Sequence, residues 1–128
     1  MSRKEIVTSS KLPAPKGPYS PAIRANGFVF VSGQGPIDIE TGNLVKGDIA
    51  QQTKLVLENI RAILEAANSS LEKIVKTTVY LSDIENFAAM NSIYATYFPS
   101  EPPARTTIQA AHLPLGFDIE IDAIALTD

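Results

Sequence analysis

The chain has 128 residues, 45% of them hydrophobic and 20% charged, the balance of a single globular domain long enough to bury a core. A formal net charge of −3 disfavours nucleic acid as a partner, and the absence of cysteine removes disulfides, thiolate nucleophiles and Cys-based zinc sites together. No stretch reaches the roughly 20 apolar residues that span a bilayer, and the charged start "MSRKEIVT" lacks a secretory core, so a cytoplasmic protein is expected.

In chain order, "KEIVT" reads as a short first strand, followed by the proline-stiffened loop "SSKLPAPKGPYSP". "AIRA" and "FVFVSG" flank Asn26-Gly27, a pair suited to a type I′ hairpin because both positions need φ > 0. "PIDIETGNLV" is a further turn with Thr41-Gly42-Asn43 at its tip. A helix follows over about Ile49 to Ala67, opened by a capping box of Asp48 and Gln51 and striped by Ile49, Val56, Ile60, Ile63, Leu64 and Ala67. Asn68 suits the left-handed position past its end.

"IVKTTVYL" alternates as a strand, with Val75, Thr77, Val79 and Leu81 on one face. Asp83 is the expected cap of a second helix near Phe87 to Tyr97, and "ARTTIQAA" and "DIEIDAIAL" are the last strands. The order βββ-α-β-α-ββ predicts an α+β fold, a mixed sheet with two helices on one face. In the last strand Ile119, Ile121, Ala123 and Ala125 share a face, while Glu120, Asp122, Ile124 and Leu126 share the other. That second face is half apolar and has no helix left to cover it, so another copy of the chain is the simplest cover.

Several residues offer chemistry. Arg105, delivered by Pro102-Pro103 to a strand start, is either a surface ion-pair partner or a planar fork for a ligand carboxylate. Glu120 is either a rim carboxylate or, in an interface cleft, a general base whose pKa partial burial raises, while Asp122 on the same face either tunes it by like charge or is solvated. "VSGQG" is neither a nucleophile elbow nor a dinucleotide fingerprint, since Asp38 stands at the third glycine position. It leaves a strand ending in a glycine of close approach, with the Ser32 hydroxyl beside it. His112, the sole histidine, is expected exposed in a loop, and a metal site is not expected. Tyr19 packs its loop or points into a cleft; Asn91 bonds across a subunit boundary or faces water.

The segments "GPYSPAI", "VFVSGQGPID", "DIAQQTKLVLENI", "IVKTTVYLSDIENFAAMN", "PPARTTIQ" and "LPLGFDIEIDAIA" together resemble the reactive intermediate deaminase family, RidA subgroup, also called YjgF-like. The resemblance covers nearly the whole chain as one domain, 1–128. It implies a chorismate-mutase-like fold and a homotrimer with the sheets as an inner barrel and ligand clefts between subunits. It also implies hydrolysis of 2-imino acids and their enamine tautomers, released by pyridoxal-phosphate enzymes from serine or threonine, to 2-oxo acids and ammonia, with no metal or organic cofactor. By the same resemblance Arg105 binds the substrate carboxylate and Glu120 activates water, the two converging across a seam between protomers. Tyr19, Ser32, Gly33 and Asn91 line the cleft. Thr107 stands where many members carry cysteine, at a position acting through its backbone amide. Two rival readings are a non-enzymatic sensor of small carboxylates and an RNA-acting translation inhibitor.

Overall fold

The strands are β1 (Glu5–Ile6), β2 (Ala22–Ala25), β3 (Phe28–Gln34), β4 (Ile74–Leu81), β5 (Ala104–Gln109) and β6 (Ile119–Leu126), with helices α1 (Ile49–Ala66) and α2 (Phe87–Tyr97). In the computed structural model, which describes residues 3–12 and 14–127, they form one six-stranded sheet ordered β1-β2-β3-β6-β4-β5. All neighbours are antiparallel except β4 and β5, which the α2 crossover joins in parallel. The expected α+β architecture is the observed one. Pro13 of the first loop lies outside the described residues.

Local chemistry explains the elements that the sequence anticipates. Asn26 (φ 52°) and Gly27 (φ 81°) both take the left-handed region between β2 and β3. Asp48 Oδ1 accepts from Gln51 N at 2.8 Å, and Gln51 Oε1 accepts from Asp48 N at 3.0 Å, closing the capping box of α1. Asn68 follows the helix at φ 60°. Val56, Leu57, Ile60, Ile63 and Leu64 of α1 are fully buried against alternate residues of the sheet, among them Val29, Val79, Ile119, Ile121 and Ala125. Three polar residues of α1 are buried too, each with a hydrogen bond. Gln52 donates to Asp118 Oδ2 at 2.8 Å, Thr53 to the Ile49 carbonyl at 2.7 Å, and Asn59 to the Ile37 carbonyl at 2.8 Å.

Three details depart from expectation. The first strand is only Glu5–Ile6. Asp83 caps not α2 but the 3₁₀ turn Ile84–Asn86, accepting from Glu85 N at 2.9 Å, and α2 starts straight after that turn behind an Asn86 that makes no side-chain cap. Val75 is not on the core face: the β4–β6 register slips between Ile74 and Lys76, so Ile74 is buried and Val75 is 39% exposed.

The second face of the sheet is as apolar as the sequence implies. Phe28, Phe30, Ile108 and Leu126 are between 37% and 45% exposed there, opposite the helix-covered core.

Candidate active site

Glu120 alternates with the fully buried Ile119 and Ile121, so its carboxyl points away from the helices. It stands beside the place where β3 loses register with β6, between Val31 and Gln34. The bulge brings Gly33 under Glu120. A Cβ at Gly33 would overlap the carboxylate, with Glu120 Cδ only 2.9 Å away, so a glycine is what lets the acid lie on the backbone. The carboxyl is half-buried, and burial, with Asp122 as second cause, raises its pKa above the ordinary glutamate value. Asp122 is itself held by the Tyr80 hydroxyl at 3.2 Å.

Ser32 ties the proline loop to this bulge. Its N–H donates to the Pro21 carbonyl at 3.0 Å and its hydroxyl donates to the Ser20 carbonyl at 2.6 Å. The hydroxyl proton is thus committed, which suits a residue beside a ligand better than a nucleophile. Tyr19, half-exposed, is carried by the same loop and its N–H donates to the Gly17 carbonyl at 2.8 Å. Tyr19, Ser32, Gly33 and Glu120 line one cleft of about 530 Å³, the first four of the expected site residues to be brought together. Its lining also includes apolar residues that were not anticipated, Ile37, Leu115 and Phe117. The Phe117 ring fills the space that a Cβ at Gly35 would need.

Arg105 is elsewhere. It pairs with Thr77 of β4, which in turn pairs with Ala123 of β6, and both partners are buried under the helices. Cross-strand partners share a face, so Arg105 lies on the helix side while Glu120 lies on the other. The guanidinium sits 4.7 Å from the Tyr94 ring centroid and 5.6 Å from that of Phe87. The Tyr94 hydroxyl is locked to Thr77 Oγ1 at 2.7 Å, so the cradle is rigid. The surface ion pair expected as one alternative is not formed: the ion pairs among the described residues are Arg24–Glu5 and Arg61–Glu58. Two more expected site residues gather here. Asn91 falls between Phe87 and Tyr94 on the same stripe of α2, and Thr107 follows Arg105 on the same face of β5. Asn91 Oδ1 and Thr107 Oγ1 are buried with no hydrogen-bond partner in the protomer. A buried polar atom without a partner costs stability.

The protomer therefore carries two separate clusters on opposite faces of the sheet: a cation without an ion-pair partner beside two unsatisfied oxygens, and a half-buried acid in a cleft. The aromatic cradle was readable as the i, i+4, i+7 spacing of Phe87, Asn91 and Tyr94. His112 is exposed, as expected. Among the described residues no three His, Asp or Glu side chains gather as metal ligands, and no helix is long and apolar enough to cross a membrane.

Residues 9–127 match the family described as endoribonuclease L-PSP. A RutC family protein of Pyrococcus abyssi is 53% identical over 122 residues, 95% of this chain and 96% of that protein. The chain belongs to the RidA/YjgF family. Within this family, the chloroplastic reactive intermediate deaminase A of Arabidopsis thaliana is 47% identical over 96% of this chain and 66% of that longer protein. The crystal structure of E. coli TdcF with bound serine superposes with a TM-score of 0.90 at 35% identity, covering 97% of this chain and 99% of that one. The fold and the family expected from the sequence are thus shown.

Proposed function

We propose that this chain is a deaminase that hydrolyses 2-imino acids and their enamine tautomers, such as 2-aminoacrylate and 2-iminobutanoate, to 2-oxo acids and ammonia. It works as a homotrimer whose sites lie between protomers. The observation that carries this reading is the division of the site. Arg105 and its two unsatisfied neighbours are complete only if a second copy brings its Glu120 cleft to them, and the apolar second face of the sheet supplies a surface on which copies meet. Two relatives support it: one named a reactive intermediate deaminase, and one structure holding serine, which carries an α-carboxylate.

In this reading the Arg105 fork takes the substrate carboxylate, pre-set by the Tyr94 and Phe87 rings. The Thr107 backbone N–H donates to the ligand, Asn91 Oδ1 accepts from the imine N–H, and Tyr19 closes the cleft. A protonated imine is already electrophilic, so no covalent catalyst is required. Ionised Glu120 accepts a proton from water as the oxygen bonds to the imine carbon, giving a carbinolamine. It hands that proton to the nitrogen and, as the C–N bond breaks and ammonia leaves, takes the carbinolamine O–H proton so that the C=O forms; that proton then passes to the ammonia. The RNA-acting reading rests on the family's description and on two solved relatives whose names include endoribonuclease, and the net charge of −3 weighs against it.

The test supplies 2-aminoacrylate from serine with a pyridoxal-phosphate dehydratase and follows ammonia release. The parent protein is expected to accelerate release, and Arg105→Ala to lose at least about a hundredfold in kcat/KM while keeping its assembly. No acceleration by the parent protein, or full activity of Arg105→Ala, refutes the assignment.

A further inference from the structure

Glu120 is laddered on one side only. Towards β3, the β6 register resumes after the bulge with Gln34 opposite Ile121 and stops there, so Glu120 has no cross-strand partner in β3. Towards β4 it pairs with Tyr80, and Ile119 pairs with Leu81. An acid that has to meet water at a set angle therefore sits where the sheet is half open, and strand ends with open backbone are the first to fray. The restraint that holds it comes from the residue just outside the strand.

Asp118, two residues before Glu120, has every polar group engaged. Its carbonyl accepts from the Ser82 N–H at 3.0 Å and its Oδ1 from the Ser82 hydroxyl at 3.1 Å, which extends the β4–β6 pairing one step past the end of both strands. Its Oδ2 accepts from Gln52 Nε2 at 2.8 Å, and its N–H donates to Gln52 Oε1 at 3.1 Å. One amide of α1 thus grips both the side chain and the backbone of Asp118. Gln52 is only 3% exposed, and its Nε2 also donates to the Gly47 carbonyl at 3.0 Å. A buried amide is costly unless its donors and acceptor are used, and here they are used almost wholly on the entry to β6. Bonds to a carboxylate are stronger than neutral ones, so the grip is firm.

We propose that Gln52 and Asp118 are positioning residues for Glu120: through this clamp α1 supplies the restraint that the interrupted β3 ladder does not, and holds the Glu120 carboxyl over Gly33. Neither residue touches substrate. The inference rests on the deaminase reading for its kinetic consequence, and deepens it by naming what aims the base. Arg105 lies on the other face of the sheet, so carboxylate binding does not depend on the clamp.

The test compares the parent protein with Gln52→Met, which keeps the length and loses the amide without changing charge, and with Asp118→Ala, a milder loss at a half-buried position. Asp118→Asn is the conservative variant: with its amide turned, it still accepts from Gln52 and donates to the Ser82 hydroxyl. Asp48→Ala, which weakens the same end of α1 through its cap, controls for loss of stability alone. On 2-aminoacrylate, kcat is expected to fall about tenfold in Gln52→Met and Asp118→Ala with KM within about twofold of the parent, because a small misplacement of a base costs rate rather than binding. Asp118→Asn and Asp48→Ala are expected to stay near the parent kcat. Carbon-13 NMR of glutamate-labelled protein, with the Glu120 signal assigned from Glu120→Gln, reads the position without catalysis. In Gln52→Met the Glu120 carboxyl is expected to titrate closer to 4.5, since a released side chain reaches water, and in Asp48→Ala to titrate as in the parent. An unmoved Glu120 titration in Gln52→Met and Asp118→Ala, a kcat no lower than that of Asp48→Ala, or a rise in KM that matches the fall in kcat overturns the clamp. If the parent protein hydrolyses no imine, yet the Glu120 titration still moves in Gln52→Met and not in Asp48→Ala, the positioning role stands and the deaminase reading falls.

Discussion

Glu120 owes its properties to its neighbours on the strand. Ile119 and Ile121 turn into the core and hold the acid at the cleft, and Gly33 lets it lie against the backbone, where water is partly excluded. Burial first, and Asp122 second, raise its pKa from 4.5. Between that ordinary value and the higher native one, the folded chain holds more protons at this site than the unfolded chain. Stability from this site is thus present at acid pH and lost as pH rises through the native pKa. Glu120→Gln removes the charged form altogether. Its Tm is expected to exceed the parent's at about pH 7, with the difference vanishing near pH 4. Thermal melts at both pH values check this; an equal or lower Tm at neutral pH contradicts the burial cost. The same substitution abolishes the proposed proton transfer, so a more stable and inactive protein is the combined signature.

At the scale of elements, legibility follows the range of the interaction. The α1 cap, the Asn26-Gly27 hairpin and the left-handed Asn68 are set by residues within a few positions of one another, and each was readable in the string. Asp48→Ala deletes the side-chain bond to Gln51 N and leaves that N–H uncapped, while the backbone N–H at position 48 still reaches Gln51 Oε1. It is expected to cost about 1 kcal/mol, read as a lower urea midpoint at unchanged slope. What the string hides is set by partners far away. Val75 looks like a core residue by alternation, and only the slip against β6 turns it outward. The faces of Arg105 and Glu120 are hidden in the same way. Each strand alternates on its own, but their relative parity is fixed through β4, where Thr77 aligns with Arg105 and Tyr80 with Glu120. Residue types pointed at both groups, while only the register shows that one protomer cannot unite them. Leu115 was invisible for a related reason, since nothing in "HLPLGF" marks which residue takes the positive φ.

At the scale of the whole molecule, the two clusters and the bare face of the sheet make one argument. An apolar surface bearing Phe28, Phe30, Ile108 and Leu126 is an unfinished core in water, and burying it against copies of itself gains about 25 cal/mol per Å². The same event is what the proposed mechanism requires, because it brings one protomer's Arg105 toward another's cleft. Assembly and activity should therefore fail together. Phe30→Asp puts a charge in the middle of that face, paired across the sheet with Ile23 and Ile124 and remote from the α1 core. A buried unpaired carboxylate costs several kcal/mol, enough to dissociate a trimer at micromolar concentration. Light scattering is expected to show the mass of one chain, with helical circular dichroism retained and imine hydrolysis lost, although Arg105 and Glu120 are both intact. A monomer that still releases ammonia at the parent rate would mean that the protomer completes its site alone, and the shared-site mechanism would have to be abandoned.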